Sequence, residues 1–210
     1  MKLYDAERAP SPRRVRIYLA EKAISVERVL VDLPGGAHLQ PGFLAINPRG
    51  TVPALALDDG EVIGDSTAIC RFFEALHPDP PLFGARPVEV ARVTAWTRRV
   101  EAEGYAACVY ALRNVATRFA DRAEPGIWPA LPQLPDLATR GTVMWEAFVA
   151  MLDARLGETE WVAGDRYSYA DITALVTVDF AAMAKLALPD GLPHLRRWHE
   201  AATARPSAAA

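Results

Sequence analysis

Residues 47 to 55, NPRGTVPAL, place a turn directly before a Val-Pro bond and a short apolar run. Pro48 and Gly50 are typical turn residues, and the apolar run that follows predicts a buried strand. A proline removes one backbone donor, so Pro53 fits the start of a strand better than its middle. An X-Pro bond can also adopt the cis form at modest cost. Pro53 would then present the backbone N–H and C=O of Val52 to a peptide-like ligand, although a plain turn explains the same residues.

The elements that must hold this turn alternate in type over the first 78 residues. Strands are predicted at KLYD, at VERVLVDL and at PALAL, and the last pairs with EVI across an Asp-Gly turn. A helix is predicted at SPRRVRIYLAEK, where Ser11 can be the N-cap and Pro12 the first helical residue. A second helix, DSTAICRFFEALH, begins at Asp65. The order β-α-β, then β-β-α, predicts a mixed α/β domain.

A proline-rich segment separates these elements from a second half that lacks comparable strand signals. Its helical patterns are interrupted by one proline-punctuated loop, EPGIWPALPQLPDL. The helix SYADITALVTVDFAAMAKLAL is apolar almost all round and is predicted at the centre of its domain. At its start, Ser168 and Asp171 have the spacing of a capping box. The sequence therefore predicts an α/β domain over 1–78, a linker over 79–87 and an all-α domain over 88–210.

Composition and charge narrow the function classes. The 210 residues are 51% hydrophobic with a net charge of −3, which indicates a globular chain. No basic stretch is interleaved with aromatic residues, so no nucleic-acid partner is predicted, and no apolar run is long enough to predict a membrane span. Cys70 and Cys108 alone predict neither a metal site nor a disulfide framework. With no signal peptide, a cytoplasmic location is expected.

Several motifs, in this order along the chain, resemble the soluble, cytosolic-type glutathione S-transferase family and its bacterial members. NPRGTVPAL is similar to the family's cis-proline segment, GDSTAI to its acidic-Ser pair, and GDRYSYADI to its capping motif. The resemblance covers essentially the whole chain. It implies a thioredoxin-like first domain and an all-helical second domain for substrate binding and dimerisation. It also implies glutathione as co-substrate without another cofactor, and a homodimer with the long helix from about Val88 at its interface.

The resemblance implies a contact for each part of glutathione. Val52, beside a cis Pro53, would pair by its backbone with the cysteinyl unit. A helix N-terminus and the Ser66 hydroxyl suit the γ-glutamyl carboxylate, and the Asp65 carboxylate suits the ammonium. The alternative for Asp65 is that it only caps its helix. The glycyl carboxylate is assigned to two polar residues of one loop, His38 and Gln40. Gln40 fits the family's spacing better, and His38 could equally be a solvated loop residue.

The group that activates the thiol departs from the family pattern. A free thiol has a pKa of about 8.5, which a transferase must lower. Alignment on RRVRI, residues 13 to 17, places Ala9 at the usual serine position, and Ala9 has no donor. Ser11 is the predicted catalytic residue, donating a hydrogen bond to the thiolate. The alternatives are a backbone N–H near Ser11 acting with the helix dipole, binding without much activation, and an N-cap role for Ser11.

A hydrophobic electrophile needs an apolar wall beside the sulfur. The candidates lie on the long helix and in the proline-rich loop: Tyr105, Cys108, Leu112 and Trp128. The first three have i, i+3, i+7 spacing, which also fits an ordinary core, and for any one of them taken alone the spacing favours a core role over a pocket role. The predicted reaction is attack by the glutathione thiolate on an electrophilic carbon. The alternatives are glutathione-dependent reduction of disulfides or peroxides, and a non-catalytic protein that binds glutathione or carries a ligand.

Overall fold

A computed structural model describes residues 1–210, and the chain forms two compact units. The first unit comprises residues 1–80 together with residues 125–129 and the C-terminal residue. The second comprises residues 81–124 and 130–209. The first unit thus ends inside the predicted linker, and its inclusion of residues 125–129 was not predicted. None of the helices combines the length and the hydropathy that a membrane span needs.

The first unit is a four-stranded sheet with helices, which confirms the predicted thioredoxin-like fold. The strands are β1 (Lys2–Asp5), β2 (Glu27–Leu30), β3 (Ala54–Ala56) and β4 (Val62–Ile63), in the order β2-β1-β3-β4. β1 pairs with β2 in parallel and with β3 antiparallel, and β3 pairs with β4 antiparallel. The helices are α1 (Pro10–Glu21), α2 (Pro41–Leu44) and α3 (Ser66–Leu76). The predicted hairpin and the predicted start of α3 are confirmed, whereas β2 is shorter than VERVLVDL suggested.

Helix α1 begins earlier than a cap at Ser11 would allow. Ala9 occupies the N-cap position with an extended backbone (φ −86°, ψ 133°), Pro10 is the first helical residue, and Ser11 lies inside the first turn. The N-cap interpretation of Ser11 is therefore wrong. Pro10 explains the start, because its preset φ suits the first position and the N–H that it lacks would have had no intrahelical partner. Pro12 also lacks an N–H, so Ser11 supplies the only backbone N–H of residues 10–12.

A buried ionic cluster ties the loop between β1 and α1 to the sheet. Asp5, at the end of β1, is fully buried and accepts hydrogen bonds from Arg16 Nη1 and from Arg28 Nε, each at 2.7 Å. Arg16 Nη2 also donates to the carbonyl oxygen of Glu7 at 2.9 Å. Burial lowers the pKa of Arg16, which the nearby Asp5 carboxylate opposes. The Arg16 guanidinium therefore holds the backbone of the loop that leads into α1 through a charge-assisted hydrogen bond.

The second unit is all helical, as predicted. Its helices are α4 (Pro87–Arg99), α5 (Ala106–Arg113), α6 (Pro135–Glu158), α7 (Tyr169–Met183) and α8 (Pro193–Thr203), and a π-helical segment, Val100–Tyr105, joins α4 to α5. The long helix predicted from about Val88 is thus continuous through this segment, and it ends at Arg113. Gly104 lets α6 approach, because a Cβ at this position would lie 2.5 Å from the Phe148 ring. Helix α7 is buried over nearly its whole length, which confirms its central place.

The predicted capping box at the start of α7 is confirmed and is larger than the motif implies. Asp171 Oδ2 accepts hydrogen bonds from the Ser168 backbone N–H at 2.9 Å and from the Ser168 hydroxyl at 2.8 Å. Asp171 Oδ1 accepts from the Val162 N–H at 2.8 Å and from Trp198 Nε1 of α8 at 2.9 Å. One fully buried carboxylate therefore joins α7, α8 and the preceding loop.

Protonation of Asp171 should make stability depend on pH. Burial raises the pKa of this carboxyl from 3.8 to about 6, although its hydrogen bonds favour the charged form. Since the folded chain binds this proton more tightly, the stabilising contribution is complete below about pH 4 and is lost as the pH rises through about 6. We expect the unfolding free energy of the wild type, relative to Asp171→Asn, to fall by up to about 3 kcal/mol over this range. Urea denaturation of both proteins from about pH 3 to about pH 8 checks this, and parallel pH profiles would contradict it.

Candidate functional site

Three segments that carry predicted site residues meet at one edge of the sheet. Asp5 at the end of β1 pairs with Leu30 at the end of β2, and Tyr4 pairs with Ala54 at the start of β3. Leu55 in turn pairs with Ile63 at the end of β4. The chain therefore leaves β1 towards α1, enters β3 after the Val-Pro turn and leaves β4 towards α3, all at the same edge. This topology brings the starts of α1 and α3 and the Val-Pro turn to one side of the sheet.

The Val52–Pro53 peptide bond is cis, as the resemblance implied. Pro53 is buried, and the ladder between β3 and β1 begins one residue later, at Ala54. Val52 therefore lies just before β3 and takes no part in the pairing between β3 and β1. Its main chain is the part of this turn that could pair with a ligand backbone.

Asn47 organises this turn and was not singled out from the sequence. It is 5% exposed, and its Nδ2 donates to the Thr51 carbonyl oxygen at 2.8 Å while its Oδ1 accepts from the Arg49 N–H at 3.2 Å. A Cβ on Gly64 would lie 3.4 Å from Asn47 Nδ2, so the chain also passes this side chain just before α3. The sequence did carry a signal for this role, because an asparagine side chain in a turn commonly hydrogen-bonds to the backbone of the residue two positions later.

Asp65 caps α3, and the capping interpretation is confirmed. Its Oδ1 accepts from the Ala68 N–H at 2.9 Å, and its carbonyl oxygen accepts from the Ile69 N–H at 2.9 Å. Capping uses one carboxylate oxygen, and an ionised carboxylate has a second that can accept further hydrogen bonds. Asp65 is exposed at this end of the helix, and the adjacent Ser66 is 4% exposed. A capping role and a ligand-binding role for Asp65 are therefore compatible.

The two residues proposed for a glycyl carboxylate lie in consecutive short elements. His38 is half-buried in a 3₁₀ turn, Ala37–Leu39, and Gln40 follows at the N-cap position of α2. Gln40 is exposed and its side chain makes no capping bond. The carbonyl oxygen of His38 lies 3.2 Å from where a Cβ on Gly50 would be, so this 3₁₀ turn packs against the turn before Val52.

The pocket residues predicted on the long helix have different environments within the second unit. Cys108 is fully buried, its Sγ lies 3.9 Å from the Thr177 carbonyl oxygen, and burial raises the pKa of its thiol to about 12. It offers no surface to a ligand, so the structure gives it a core role rather than a place in a pocket wall. Tyr105 is half-buried with its ring 5.3 Å from that of Phe180, and Leu112 is also half-buried.

Trp128, the fourth predicted pocket residue, belongs to the first unit. Its side chain is 57% exposed, and its Nε1 donates to the Pro125 carbonyl oxygen at 2.9 Å. The indole is thus held by its own loop while its apolar face remains accessible. An exposed tryptophan fixed in this way suits contact with an apolar ligand.

Two family models match the chain. The model described as Glutathione S-transferase, N-terminal domain, matches residues 9–76, and the model described as Glutathione S-transferase, C-terminal domain, matches residues 146–206. The first match contains the Val-Pro turn and the start of α3. The second contains the capping box of α7.

Relatives of known name match the chain over nearly its full length. Glutathione S-transferase 2 of Saccharomyces cerevisiae is 37% identical, with 99% of this chain and 87% of the relative covered. Maleylacetoacetate isomerase of Pseudomonas aeruginosa is 31% identical, with 99% and 93% covered. The crystal structure of a glutathione S-transferase domain-containing protein from Marinobacter aquaeolei VT8 is 38% identical, with a TM-score of 0.90 and 99% of both chains covered. The motifs, the fold and this full-length similarity agree, and the chain belongs to the glutathione S-transferase family.

Proposed function

We propose that the protein conjugates glutathione to hydrophobic electrophiles through attack by the glutathione thiolate. The observation that carries the proposal is the meeting of three segments at one edge of the sheet. Each segment has chemistry suited to a different part of glutathione. The start of α3 offers the Asp65 carboxylate, the Val-Pro turn offers the main chain of Val52, and the start of α1 offers a helix N-terminus. The full-length similarity to Glutathione S-transferase 2 of yeast supports the same reaction class.

The γ-glutamyl end is proposed to bind at the start of α3. The Asp65 carboxylate oxygen that is not engaged in capping would accept from the ammonium. The Ser66 hydroxyl and the N-terminal turn of α3 would hold the carboxylate, since the positive end of a helix dipole favours an anion. This assignment uses the side chain of Asp65 in two roles at once, which its exposed position allows.

The rest of the tripeptide is proposed to lie along the Val-Pro turn. The main chain of Val52 would pair with the cysteinyl unit, with Pro53 shaping the turn behind it. The glycyl carboxylate would then reach the loop that carries His38 and Gln40. Gln40 is the more accessible of the two, because it is exposed while His38 is half-buried.

The cysteinyl thiol would then face the start of α1. Ala9 has no side-chain donor, and its backbone N–H already donates to the Ala6 carbonyl oxygen at 3.0 Å, so it is left out of the chemistry. Ser11, in the first turn, can offer a hydroxyl, and its backbone N–H is the only one that residues 10–12 possess. Either donor would stabilise a thiolate together with the helix dipole.

Substitution of Ser11 should raise the pKa of the bound glutathione thiol. A hydrogen bond to a charged group contributes about 1.5–3 kcal/mol, so loss of the hydroxyl in Ser11→Ala should raise that pKa by roughly one to two units. Ser11→Pro, which the first helical turn tolerates, should raise it further because the N–H is also lost. The measurement is the ultraviolet absorbance of the thiolate against pH for bound glutathione. An unchanged pKa in Ser11→Ala with a raised one in Ser11→Pro would assign activation to the N–H alone, and unchanged values in both would exclude Ser11.

The electrophile is proposed to contact Trp128, whose indole is exposed in the first unit. Tyr105 and Leu112, half-buried on the long helix, remain predicted contacts, while Cys108 is left out because it is fully buried. Detoxification of apolar electrophiles is the role that such chemistry would serve. Replacement of Leu112, which lies outside the turn and the loop that hold Val52, by alanine should therefore change the KM for the electrophile more than the KM for glutathione.

A turnover assay separates the proposed reaction from its rivals. With an aromatic halide as electrophile, conjugation consumes one glutathione per product and releases halide. An isomerase, as the Pseudomonas relative is named, would convert its substrate without consuming glutathione, and a reductase would produce glutathione disulfide. Binding of glutathione without any of these turnovers would favour a carrier.

We further propose a homodimer in a reducing, cytoplasmic compartment. The compartment is supported by the two cysteines, which are both free thiols. Sedimentation of the purified protein tests the dimer, and a monomeric mass at micromolar concentration would contradict it.

A further inference from the structure

We propose that residues 125–129, here called the strap, position the backbone of Val52 and thereby set the affinity for glutathione. The inference rests on the proposed function, because it assumes that Val52 pairs with that ligand. The strap has the sequence PGIWP and lies between α5 and α6 along the chain, yet it packs within the first unit. It contacts the turn that leads directly into Val52.

The strap backbone lies against this turn. The Ile127 N–H donates to the Arg49 carbonyl oxygen at 2.9 Å. A Cβ on Gly126 would lie 2.8 Å from the same oxygen and 3.1 Å from Thr51 Cγ2. The φ of Gly126 is +96°, which side chains rarely adopt. Only glycine fits this position, both for its backbone conformation and for the space beside it.

A second glycine, Gly50, lets the turn lie close to the strap. A Cβ on Gly50 would lie 3.0 Å from Ile127 Cγ1 and 3.2 Å from the His38 carbonyl oxygen. Gly50 is thus enclosed between the strap and the 3₁₀ turn that carries His38, while Asn47 bonds to both ends of the turn. The chain from 49 to 51 has little room to move, and Val52 follows it directly.

The strap is itself restrained. Pro125 and Pro129 bound it and fix their own φ angles. Trp128 Nε1 bonds back to the Pro125 carbonyl oxygen at 2.9 Å. A displacement of the strap would therefore pass to the turn rather than be absorbed within the strap. Gly126 and Ile127 are in this sense positioning residues for glutathione.

Gly126→Ala tests the proposal with Gly60→Ala as a matched control. Gly60 has a φ of +93°, close to that of Gly126, but a Cβ there would meet nothing within 4 Å. Both variants place an alanine at a similar positive φ, and only in Gly126→Ala does the new methyl group push the strap off the turn. We expect the glutathione Kd, measured by calorimetry on the full chain, to rise at least about tenfold in Gly126→Ala and to stay within about twofold in Gly60→Ala. The KM for glutathione should rise in the same way, with a smaller change in kcat.

A double-mutant cycle keeps the test decisive if Gly126→Ala fails to fold. Gly50→Ala places its new methyl group against Ile127, so Ile127→Ala should relieve part of that clash. We expect the loss of glutathione affinity in the double variant to be smaller than the sum of the two single losses. Additive losses would overturn the inference.

The outcomes separate this inference from the proposed function. If the wild type does not bind glutathione, the proposed function fails and the inference fails with it. If the wild type binds glutathione and folded Gly126→Ala binds it equally well, only the inference is overturned. Weakened binding in Gly126→Ala with normal binding in Gly60→Ala supports both.

Discussion

Asp171→Ala is expected to lower the free energy of unfolding by roughly 3 kcal/mol or more. The substitution leaves four donors without their acceptor: the backbone N–H groups of Val162 and Ser168, the Ser168 hydroxyl and Trp198 Nε1. Each buried donor without a partner costs about 1–3 kcal/mol, and such costs do not add fully. Loss of a buried network of this kind is among the most damaging single changes. Urea denaturation followed by circular dichroism measures the effect through the shift in midpoint at constant slope.

Asp165→Ala is the matched control for this prediction. Asp165 is an exposed aspartate in the loop that precedes Ser168. Its substitution should change the free energy of unfolding by no more than about 0.5 kcal/mol. Because Asp171 lies in the second unit, glutathione affinity well below the unfolding transition should be unchanged in both variants. A wild-type midpoint in Asp171→Ala, or a loss of glutathione binding in the folded variant, would reverse the role assigned to this residue.

Asp65→Asn is expected to weaken glutathione binding by about 10- to 100-fold while leaving the fold nearly as stable as the wild type. Asparagine keeps an oxygen for the Ala68 N–H, so the cap of α3 should survive. The charge that would meet the γ-glutamyl ammonium is lost, and a charge-assisted hydrogen bond contributes about 1.5–3 kcal/mol. The rate at saturating glutathione should fall much less, because Asp65 is proposed to bind and not to catalyse. Calorimetry and the KM for glutathione measure the two effects.

Asp65→Ala separates capping from binding in the same position. It removes the cap as well as the charge, so its affinity should fall by the same factor as in Asp65→Asn, with an added loss of stability of about 1 kcal/mol. Equal stability in the two variants would mean that the cap contributes nothing. Wild-type affinity in Asp65→Asn would exclude Asp65 from the glutathione site.

Local sequence signals predicted the elements on which the site depends. A Pro-Arg-Gly turn before an apolar run marked the start of β3, and an aspartate before a helical pattern marked the start of α3; both are where they were expected. The start of α1 was misjudged, because two prolines and a serine within three residues offer two possible starts. Backbone geometry decided between them by placing Ala9 at the N-cap.

Sequence spacing was least able to predict burial where several helices pack around one core. The i, i+3, i+7 pattern of Tyr105, Cys108 and Leu112 described one face of a helix but could not say what covers it. Packing buried Cys108 completely and left the other two half-buried. The same limit hid the bonds to Asp171 from Val162 and Trp198, which come from residues 9 and 27 positions away.

The sequence by itself determined the class of each element, the order of the two halves and the family resemblance, because these depend on periodicity, turn residues and short motifs that act within a few positions. Only the tertiary structure decided that Asp5 binds Arg16 and Arg28, that Asn47 lies beside Gly64, and that residues 125–129 join the first unit. These contacts join residues distant in the chain, and their formation depends on sheet register and on how closely backbones can approach. Gly126 shows the difference. The sequence marks it only as a turn residue. In the folded chain a Cβ at this position would lie 2.8 Å from the Arg49 carbonyl oxygen, and this close approach is what requires glycine.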